Sequence, residues 1–519
     1  MIMYNINKAR DVKLVIQPVI GIMVHEYVFE GPCRFGAGET LTLEFDRMVG
    51  ADGYKDFRTN LKKYIEPEED FEMLEPVSYE ITESFEVTEA MMAELTKNDP
   101  IVDAYLFTSI GRTYPMVLEL VSRTKKPFIC LQECCDKTQV PAMLRSRGFE
   151  CISEMTWEET VEKMRVLRLR KVLQQTKMLL LTRGYKDSAI VSACDGFINL
   201  DEAAAKLGFR YQLMDVHEFI DQTHEEGGTA ATMPTRRPDF LKKEEIAEIE
   251  DLADRMIAGA GSCNVEKAEI VNSLRFYQTA KKMMAHYECN AFTAPCPEMC
   301  ATTRLDQEHI TPCITHSLLN AEGISSACEY DIPGLIIQIL LSSANRSGAY
   351  LGNCVPLYYE ADGKTVKTFM APSNDLQEKV NAMTQEERDN LIITYHSSIN
   401  FKMRGYDAEP FDYHISNYTA SGWGPTVRHD FRKDKGQVLT MARISPDAKT
   451  LFVARGTVVA GTGESMSGCT QGVLFRVKDS KDFFEKQCNV GNHVPMVFGD
   501  VFDQIVALGK LLGLNVLTA

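Results

Sequence analysis

The sequence lacks several features that would fix its class at once. It has no run of about 20 apolar residues, the length that a membrane-spanning helix requires. It has no basic stripe interleaved with aromatic side chains, and its formal net charge is −17, so nucleic acid and anionic membranes are not expected partners. The apolar opening stretch is interrupted by Gln17 and Pro18, and no small-residue cleavage site follows before Glu26. This favours a buried strand over a signal peptide and predicts a cytoplasmic protein.

A disulfide framework is also absent. The 15 cysteines are odd in number and follow no regular spacing, which in a chain of this size predicts reduced thiols in an intracellular compartment. Cys296 and Cys300 could form half of a zinc cluster, but no second pair with suitable spacing is present in the sequence. A zinc cluster is therefore not expected.

Nucleotide-binding motifs are missing as well. No G-x-G-x-x-G directly follows a predicted strand, which disfavours an NAD-dependent oxidoreductase. The glycine-rich stretch 461–468 lies between two predicted strands and lacks the Lys-Ser/Thr of a P-loop. It is predicted to be a loop between strands and not a phosphate cradle.

The length of 519 residues predicts about three domains. Short runs rich in β-branched and aromatic residues, at 104–109, 127–132 and 149–153, alternate with segments of helical spacing, which is typical of a parallel α/β layer. A second unit of this kind starts at residue 177. The predicted domains are an N-terminal α/β domain (1–172), a middle α/β domain (173–345) and a C-terminal β-rich domain (346–519).

The fold class predicted is therefore α/β, with two Rossmann-like parallel domains followed by a barrel-like antiparallel domain. In the last third, 436–461 is predicted to be strand, turn and strand, with Ser445 to Lys449 as the turn. The stretch 422–436 is rich in glycine, proline and charge, and it is predicted to be loop.

Three segments combine ionisable groups with sharp local structure. Glu329 and Asp331 precede a helix-like run, where a carboxylate could simply cap the helix. His396 ends a short apolar strand, where α/β proteins commonly build sites, although a histidine there can also be structural. His493 follows Gly491-Asn492 and precedes an apolar strand. Imidazole and carboxylate ligands together suit a divalent ion such as Mn²⁺.

Taken together, four stretches resemble one enzyme superfamily. They are PCITHSLLNAEGISSACEYDIPGL, AYLGN, IITYHSS and the ending GNHVPMVFGDVFDQIVALGKLLGLNVL, all within the last two fifths of the chain. These motifs resemble the L-fucose isomerase superfamily, which also includes the L-arabinose isomerases. In that family an aldose and its ketose interconvert through an enediol, and a divalent metal, usually Mn²⁺, bridges the oxygens on the two carbons that change oxidation state.

The resemblance implies a sugar substrate, a Mn²⁺ cofactor and a homo-oligomer, a trimer or hexamer. It assigns Glu329 as a metal ligand and acid/base residue, His493 as a second ligand and His396 as a third. Where the family has a second carboxylate, this chain has Asn353. An amide is neutral and cannot act as a base, so another acid (Asp331, Glu360 or Asp362), a water or a substrate hydroxyl would have to carry the proton, or the reaction differs.

The sequence leaves the substrate open. Candidate substrate-binding residues are Trp423, Arg428, His429 and Asn492, and further arginines that could pair with an anionic sugar are Arg236, Arg237 and Arg432. Solvated loop arginines are the plainer interpretation. The alternative to an isomerase is a diverged sugar-binding protein that keeps the fold without the second carboxylate.

Overall fold

A computed structural model describes residues 4–27, 42–131, 136–183, 196, 198–225, 240–367 and 373–519. The chain forms two compact units, one of Val12–Arg168 and one that combines Met1–Asp11 with Leu169–Ala519. The predicted division of the second unit at residue 345 stays a prediction. Among the described residues, no helix combines the length and the apolar composition needed to cross a membrane.

The Val12–Arg168 unit is built on a parallel sheet. Its elements are β1 (Leu14–Val24), α1 (Leu43–Tyr64), β2 (Phe71–Met73), β3 (Val77–Thr82), α2 (Glu89–Leu95), β4 (Ala104–Ile110), α3 (Tyr114–Thr124), β5 (Phe128–Cys130), α4 (Asp136–Arg145), β6 (Cys151–Ile152) and the start of α5 (Trp157–Gln175). The strand order is β2-β1-β4-β5-β6, with β3 also paired to β1. β1 is buried at every position, as expected for a central strand with both faces covered, so the predicted N-terminal buried strand is confirmed.

The second unit starts with another parallel α/β layer. Its elements are β7 (Lys177–Thr182), α6 (Leu200–Leu207), β8 (Arg210–Asp215), α7 (Val216–Asp221), α8 (Lys243–Gly259), β9 (Ser262–Cys263), α9 (Lys267–His286), β10 (Ala291–Thr293), α10 (Cys296–Ala301), α11 (Arg304–Glu308), α12 (Cys313–Glu322), β11 (Ser325–Ala327) and α13 (Ile332–Asn345). β11, β10, β7 and β8 form a parallel sheet in that order. The first twelve residues of α13 are all buried because this helix is apolar on every side.

The last third is mainly antiparallel. Its elements are β12 (Asn353–Pro356), α14 (Leu376–Asn381), α15 (Gln385–Arg388), β13 (Leu391–Tyr395), β14 (His414–Asn417), β15 (Pro425–Arg428), β16 (Val438–Ile444), β17 (Thr450–Thr462), β18 (Gly472–Arg476), α16 (Ser480–Gln487), β19 (Met496–Phe498), α17 (Phe502–Leu511) and β20 (Asn515–Thr518). The sheet order is β12-β13-β18-β17-β16-β19, and β20 pairs with β17 in parallel. Two parallel α/β layers followed by an antiparallel sheet confirm the predicted fold class.

One local prediction is wrong. Residues 422–436 were expected to be loop, but Pro425–Arg428 forms β15 and pairs antiparallel with β14. Gly422 and Gly424 have φ of 97° and 79° and make the turn before it. β15 is an edge strand of a three-stranded sheet with β14 and β9, and an edge is where a strand tolerates proline.

Candidate metal centre

Glu329 lies in an unusual backbone segment just after β11. Glu329 and Tyr330 have φ of 60° and 59°, the left-handed region that residues other than glycine rarely adopt. The segment is held by hydrogen bonds from the Tyr330 N–H to the Ala294 carbonyl and from the Asp331 N–H to the Cys328 carbonyl, both 3.1 Å. The result places the Glu329 carboxylate beyond the carboxyl end of a parallel strand, the usual position of sites in α/β sheets.

Three predicted ligands come together at this point. The Glu329 carboxylate Oε1 is 3.4 Å from His396 Nε2, and its Oε2 is 3.8 Å from His493 Nε2. One ligand atom from each residue lies within 4.8 Å of the other two. Two donors bound to one ion at about 2.1 Å can be at most about 4.2 Å apart, so both measured distances suit a shared cation.

His396 is supplied by β13, the strand that the sequence predicted. It is fully buried, and within the described part of the chain neither ring nitrogen makes a hydrogen bond. Buried polar atoms in folded proteins nearly always have a partner. A cation bound between His396 and Glu329 would give His396 Nε2 a partner.

Asp331 and Arg443 hold His493 in its orientation. Its Nδ1 is 3.1 Å from Asp331 Oδ2, which leaves Nε2 facing Glu329. Asp331 caps α13 by accepting from the Gly334 N–H at 2.8 Å, and it forms a two-pronged ion pair with Arg443 at 2.7 and 3.2 Å. Arg443 also donates to the His493 carbonyl at 2.6 Å. A carboxylate behind a histidine is the usual second layer of a metal site.

The electrostatics favour a cation. Burial alone would raise the pKa of Glu329, but the nearby imidazoles of His396 and His493 outweigh it, so the pKa is lowered. Burial also acts to raise the pKa of Asp331, but Arg443 and His493 outweigh it, so this pKa is lowered as well. Both carboxylates are therefore ionised at neutral pH, and the charge of Asp331 is paired with Arg443.

The donor set fits a divalent transition metal. One carboxylate oxygen and two imidazole nitrogens suit ions such as Mn²⁺, Fe²⁺, Co²⁺ or Zn²⁺. Three protein donors leave coordination positions for substrate oxygens, as catalytic sites require. Of the three side chains, the two histidines are 0% and 1% exposed and Glu329 is 21% exposed, so the carboxylate faces the accessible side.

Asn353 and Asn492 lie beside the histidines. Asn353 pairs with Tyr395 across β12 and β13 and forms an isolated bridge with His493. The Asn492 side-chain amide donates to Asn353 Oδ1.

Of the other carboxylates considered for the second acid, only Asp331 reaches this region. Asp331 is engaged with Arg443 and His493 as described above. Glu360 and Asp362 are exposed in a turn, where Asp362 accepts from the N–H groups of Lys364 and Thr365.

The remaining predicted substrate residues have varied surroundings. His429 uses both ring nitrogens, one toward the Asp412 carbonyl at 2.8 Å and one toward Asp434 at 2.7 Å. Trp423 stacks on His309, with ring centroids 5.2 Å apart. Arg428 is fully buried. Arg236 and Arg237 lie outside the described residues.

Sequence reasoning did not find Arg443 or a group of thiols near the ligands. Arg443 sits in the buried strand β16, and an arginine inside such an apolar run is a signal that could have been used. Cys328, next to Glu329, has its Sγ 3.4 Å from Cys296 Sγ. That contact and burial raise the pKa of the Cys328 thiol, so it is neutral.

Comparison with known proteins gives distant relatives. No protein-family model matches the chain. Curated proteins that it resembles include sulfoquinovose isomerases from Priestia aryabhattai and from Priestia megaterium (strain ATCC 12872 / QMB1551). Each is 22% identical to this chain over 367 residues, which cover 69% of this chain and 68% of the relative.

Proposed function

We propose that this protein is a metal-dependent aldose–ketose isomerase that converts a sugar through an enediol. The observation that carries the proposal is the convergence of Glu329, His396 and His493, from three separate segments of the chain, on one point. The coarser statement, an isomerase that acts on a sugar, is supported by the names of the two Priestia relatives. The metal and the enediol are the finer proposal.

A cation held by Glu329, His396 and His493, with Mn²⁺ as the expected ion, would supply Lewis acidity to the oxygens on the two sugar carbons that change oxidation state. Glu329 is the one partly exposed carboxylate among the three ligands, and its lowered pKa keeps it unprotonated. It is therefore suited to take the proton from the sugar carbon. A positioned base of this kind contributes roughly 10²–10⁴-fold to rate.

Neither Asn353 nor Asp331 is suited to return the proton to the sugar. Asn353 cannot act as a base, and Asp331 is committed to Arg443 and His493. We therefore assign proton return to Glu329 itself or to a substrate hydroxyl or water that relays the proton. Asn353 and Asn492, which bond to each other, are suited to hold sugar hydroxyls.

The test is a panel of aldoses given to metal-stripped protein with and without added Mn²⁺. We expect ketose formation only with metal, and incorporation of one solvent deuteron into the product carbon when the reaction is run in D₂O. Glu329→Gln should stop both, whereas Glu360→Gln, which changes an exposed carboxylate, should not. Ketose formed by the metal-stripped protein, or by Glu329→Gln at the wild-type rate, would contradict the proposed mechanism.

A second outcome of the same test would favour the alternative function, sugar binding without isomerisation. If the protein binds Mn²⁺ and a sugar but forms no ketose from any aldose, it is a diverged sugar-binding protein. Sulfoquinovose is itself a sulfonated hexose, so the panel should include neutral, deoxy and acidic aldoses. The homo-oligomer and the cytoplasmic location stay predictions, and light scattering tests the first.

A further inference from the structure

Arg428 differs from the other deeply buried arginines. Arg168, Arg428 and Arg443 are among the largest fully buried side chains in the described part of the chain. Arg168 lies 3.1 Å from Asp70, and Arg443 lies 2.7 Å from Asp331. Arg428 has no carboxylate within ion-pair distance among the described residues, so it is a buried cation without an anion.

The partners of Arg428 are all neutral oxygens. Nε donates to Thr426 Oγ1 at 3.0 Å, Nη2 donates to the Gly468 carbonyl at 2.6 Å, and Nη1 makes a long contact of 3.5 Å with Thr470 Oγ1. A guanidinium carries five N–H groups and no acceptor, so part of its donor capacity is unused here. A buried charge without an ion-pair partner is destabilising, and binding of an anion would compensate it.

The strongest electrostatic influences on Arg428 come from four ionisable groups, and none of them is a carboxylate. They are two thiols and two phenols, of Cys313, Cys469, Tyr350 and Tyr418. Burial raises the pKa of Cys313, of Tyr350 and of Tyr418, so these three are neutral at pH 7. Burial also lowers the pKa of Arg428.

Arg428 and the metal ligand His396 are bonded to the same short segment. The His396 N–H donates to the Gln471 carbonyl at 3.0 Å, while Arg428 contacts the preceding residue, Thr470. Ser397, which follows His396, has its Oγ 3.1 Å from Cys313 Sγ and 3.5 Å from Cys469 Sγ. Hydroxyl and thiol side chains therefore connect the surroundings of Arg428 with the segment that carries His396.

The cover over Arg428 is a surface loop. Residues 463–471 connect β17 and β18, Ser465 and Ser467 in it are exposed, and Gly468 and Cys469 are half-buried. Gly468 adopts a φ of 79° that favours glycine, and its carbonyl is the shortest contact of the guanidinium. An oxyanion bound beneath this loop would replace the neutral Gly468 carbonyl with a charged partner for Arg428.

We propose that Arg428 binds the oxyanion of an acidic sugar substrate, a sulfonate or a phosphate ester carried at the end of the sugar away from the reacting carbons. The planar fork of a guanidinium matches two oxygens of such a group. The hydroxyls of Thr426 and Thr470 accept from Arg428 and donate to the carbonyls of Ser416 and Ser467, so the guanidinium itself must supply the hydrogen bonds to the oxyanion. This assignment rests on the proposed isomerase function and makes Arg428 the residue that sets substrate charge.

The test compares a sulfonated hexose, a hexose 6-phosphate and the neutral parent hexose as substrates. For each we measure kcat/KM with the wild type, Arg428→Gln, Arg428→Lys and the control Arg476→Gln, whose guanidinium is exposed and paired with Glu386. The wild type should prefer at least one anionic sugar. Arg428→Gln should lower the ratio of anionic to neutral kcat/KM roughly 10- to 100-fold, mainly through KM, and Arg428→Lys should lower it less. The control should keep the wild-type ratio.

The sulfonated and phosphorylated hexoses show which oxyanion the site accepts. The ratio of anionic to neutral kcat/KM shows whether Arg428 binds the substrate or only supports the fold. If Arg428 only supports the fold, both classes of sugar lose activity equally and the ratio stays constant, which overturns the proposal. Wild type that prefers the neutral sugar also overturns it. If Arg428→Gln does not fold, the proposal is tested by the wild-type preference for anionic sugars and by the ratio of anionic to neutral kcat/KM in Arg428→Lys.

Failure of the isomerase function is recognised separately. If wild type forms ketose from none of the sugars, calorimetric binding of the sulfonated and phosphorylated hexoses to wild type and Arg428→Lys replaces turnover. Weaker binding to the variant keeps the anion site while the isomerase proposal falls. Equal binding, or none, overturns the anion site too.

Discussion

Arg443→Met tests whether the buried ion pair with Asp331 is the support of the metal centre. The two side chains are 1% and 0% exposed, and their contacts of 2.7 and 3.2 Å are two-pronged. Removing one partner of such a pair leaves an uncompensated buried charge, which destabilises a protein by about 3–5 kcal/mol. We expect that loss in the free energy of unfolding, measured by urea denaturation of the metal-free protein.

The double variant Asp331→Asn with Arg443→Met separates stability from metal binding. Both charges are then gone, and the amide oxygen can still accept from the Gly334 N–H, so stability should return to within about 2 kcal/mol of wild type. Metal affinity should not return, because the neutral amide no longer raises the basicity of His493. Loss of such a support weakens metal binding roughly 10- to 100-fold, which competition with a chelator measures.

The matched control is Arg476→Met, which breaks an exposed pair with Glu386 and should change stability by less than about 1 kcal/mol. The reasoning is refuted if Arg443→Met has an effect as small as the control. It is equally refuted if the double variant is less stable than Arg443→Met alone.

Three further predictions concern the ligands and their surroundings. Glu329→Gln and His493→Ala should each lose bound Mn²⁺ and activity while circular dichroism stays that of wild type; a His493 variant that unfolds, with soluble protein still holding metal, would make His493 a core residue. Asn353→Asp adds a negative charge beside the ligands and should tighten Mn²⁺ binding roughly tenfold or more in a chelator competition, and unchanged affinity would place Asn353 away from the ion. Burial and the charge of His396 lower the pKa of His316 to about 3, so its imidazole stays neutral in the folded state while the unfolded chain takes up a proton below pH 6.5. Wild type should therefore lose about 2 kcal/mol more stability between pH 7 and pH 5 than His316→Gln, and equal losses in urea denaturation would contradict the buried neutral form.

The elements most accurately predicted from sequence are those with strong local signals. Helical spacing was predicted between the strand-like runs 104–109 and 127–132, and α3 (Tyr114–Thr124) lies there. The strand before His396 was predicted from a short β-branched run and is β13. β15 was missed because glycine and proline dominate its surroundings, and its pairing with β14 depends on a neighbour that composition does not reveal.

The candidate site was predictable only in part. Glu329, His396 and His493 were named from a family resemblance, because nothing in their spacing shows that three segments meet. Asp331 was expected at a helix start, and it is the cap of α13. Its pairing with Arg443, 112 residues away, is tertiary and could not be read from either segment alone.

The backbone at Glu329 and Tyr330 limits how far this protein can be stabilised. Each left-handed residue other than glycine disfavours the folded state by about 1–3 kcal/mol, and here two occur in succession. Glycine at position 329 would relieve the strain but would remove the carboxylate on which the proposed chemistry depends. Selection for activity and selection for stability therefore oppose each other at this position. Mutations that stabilise the protein without loss of activity are to be sought in other parts of the fold.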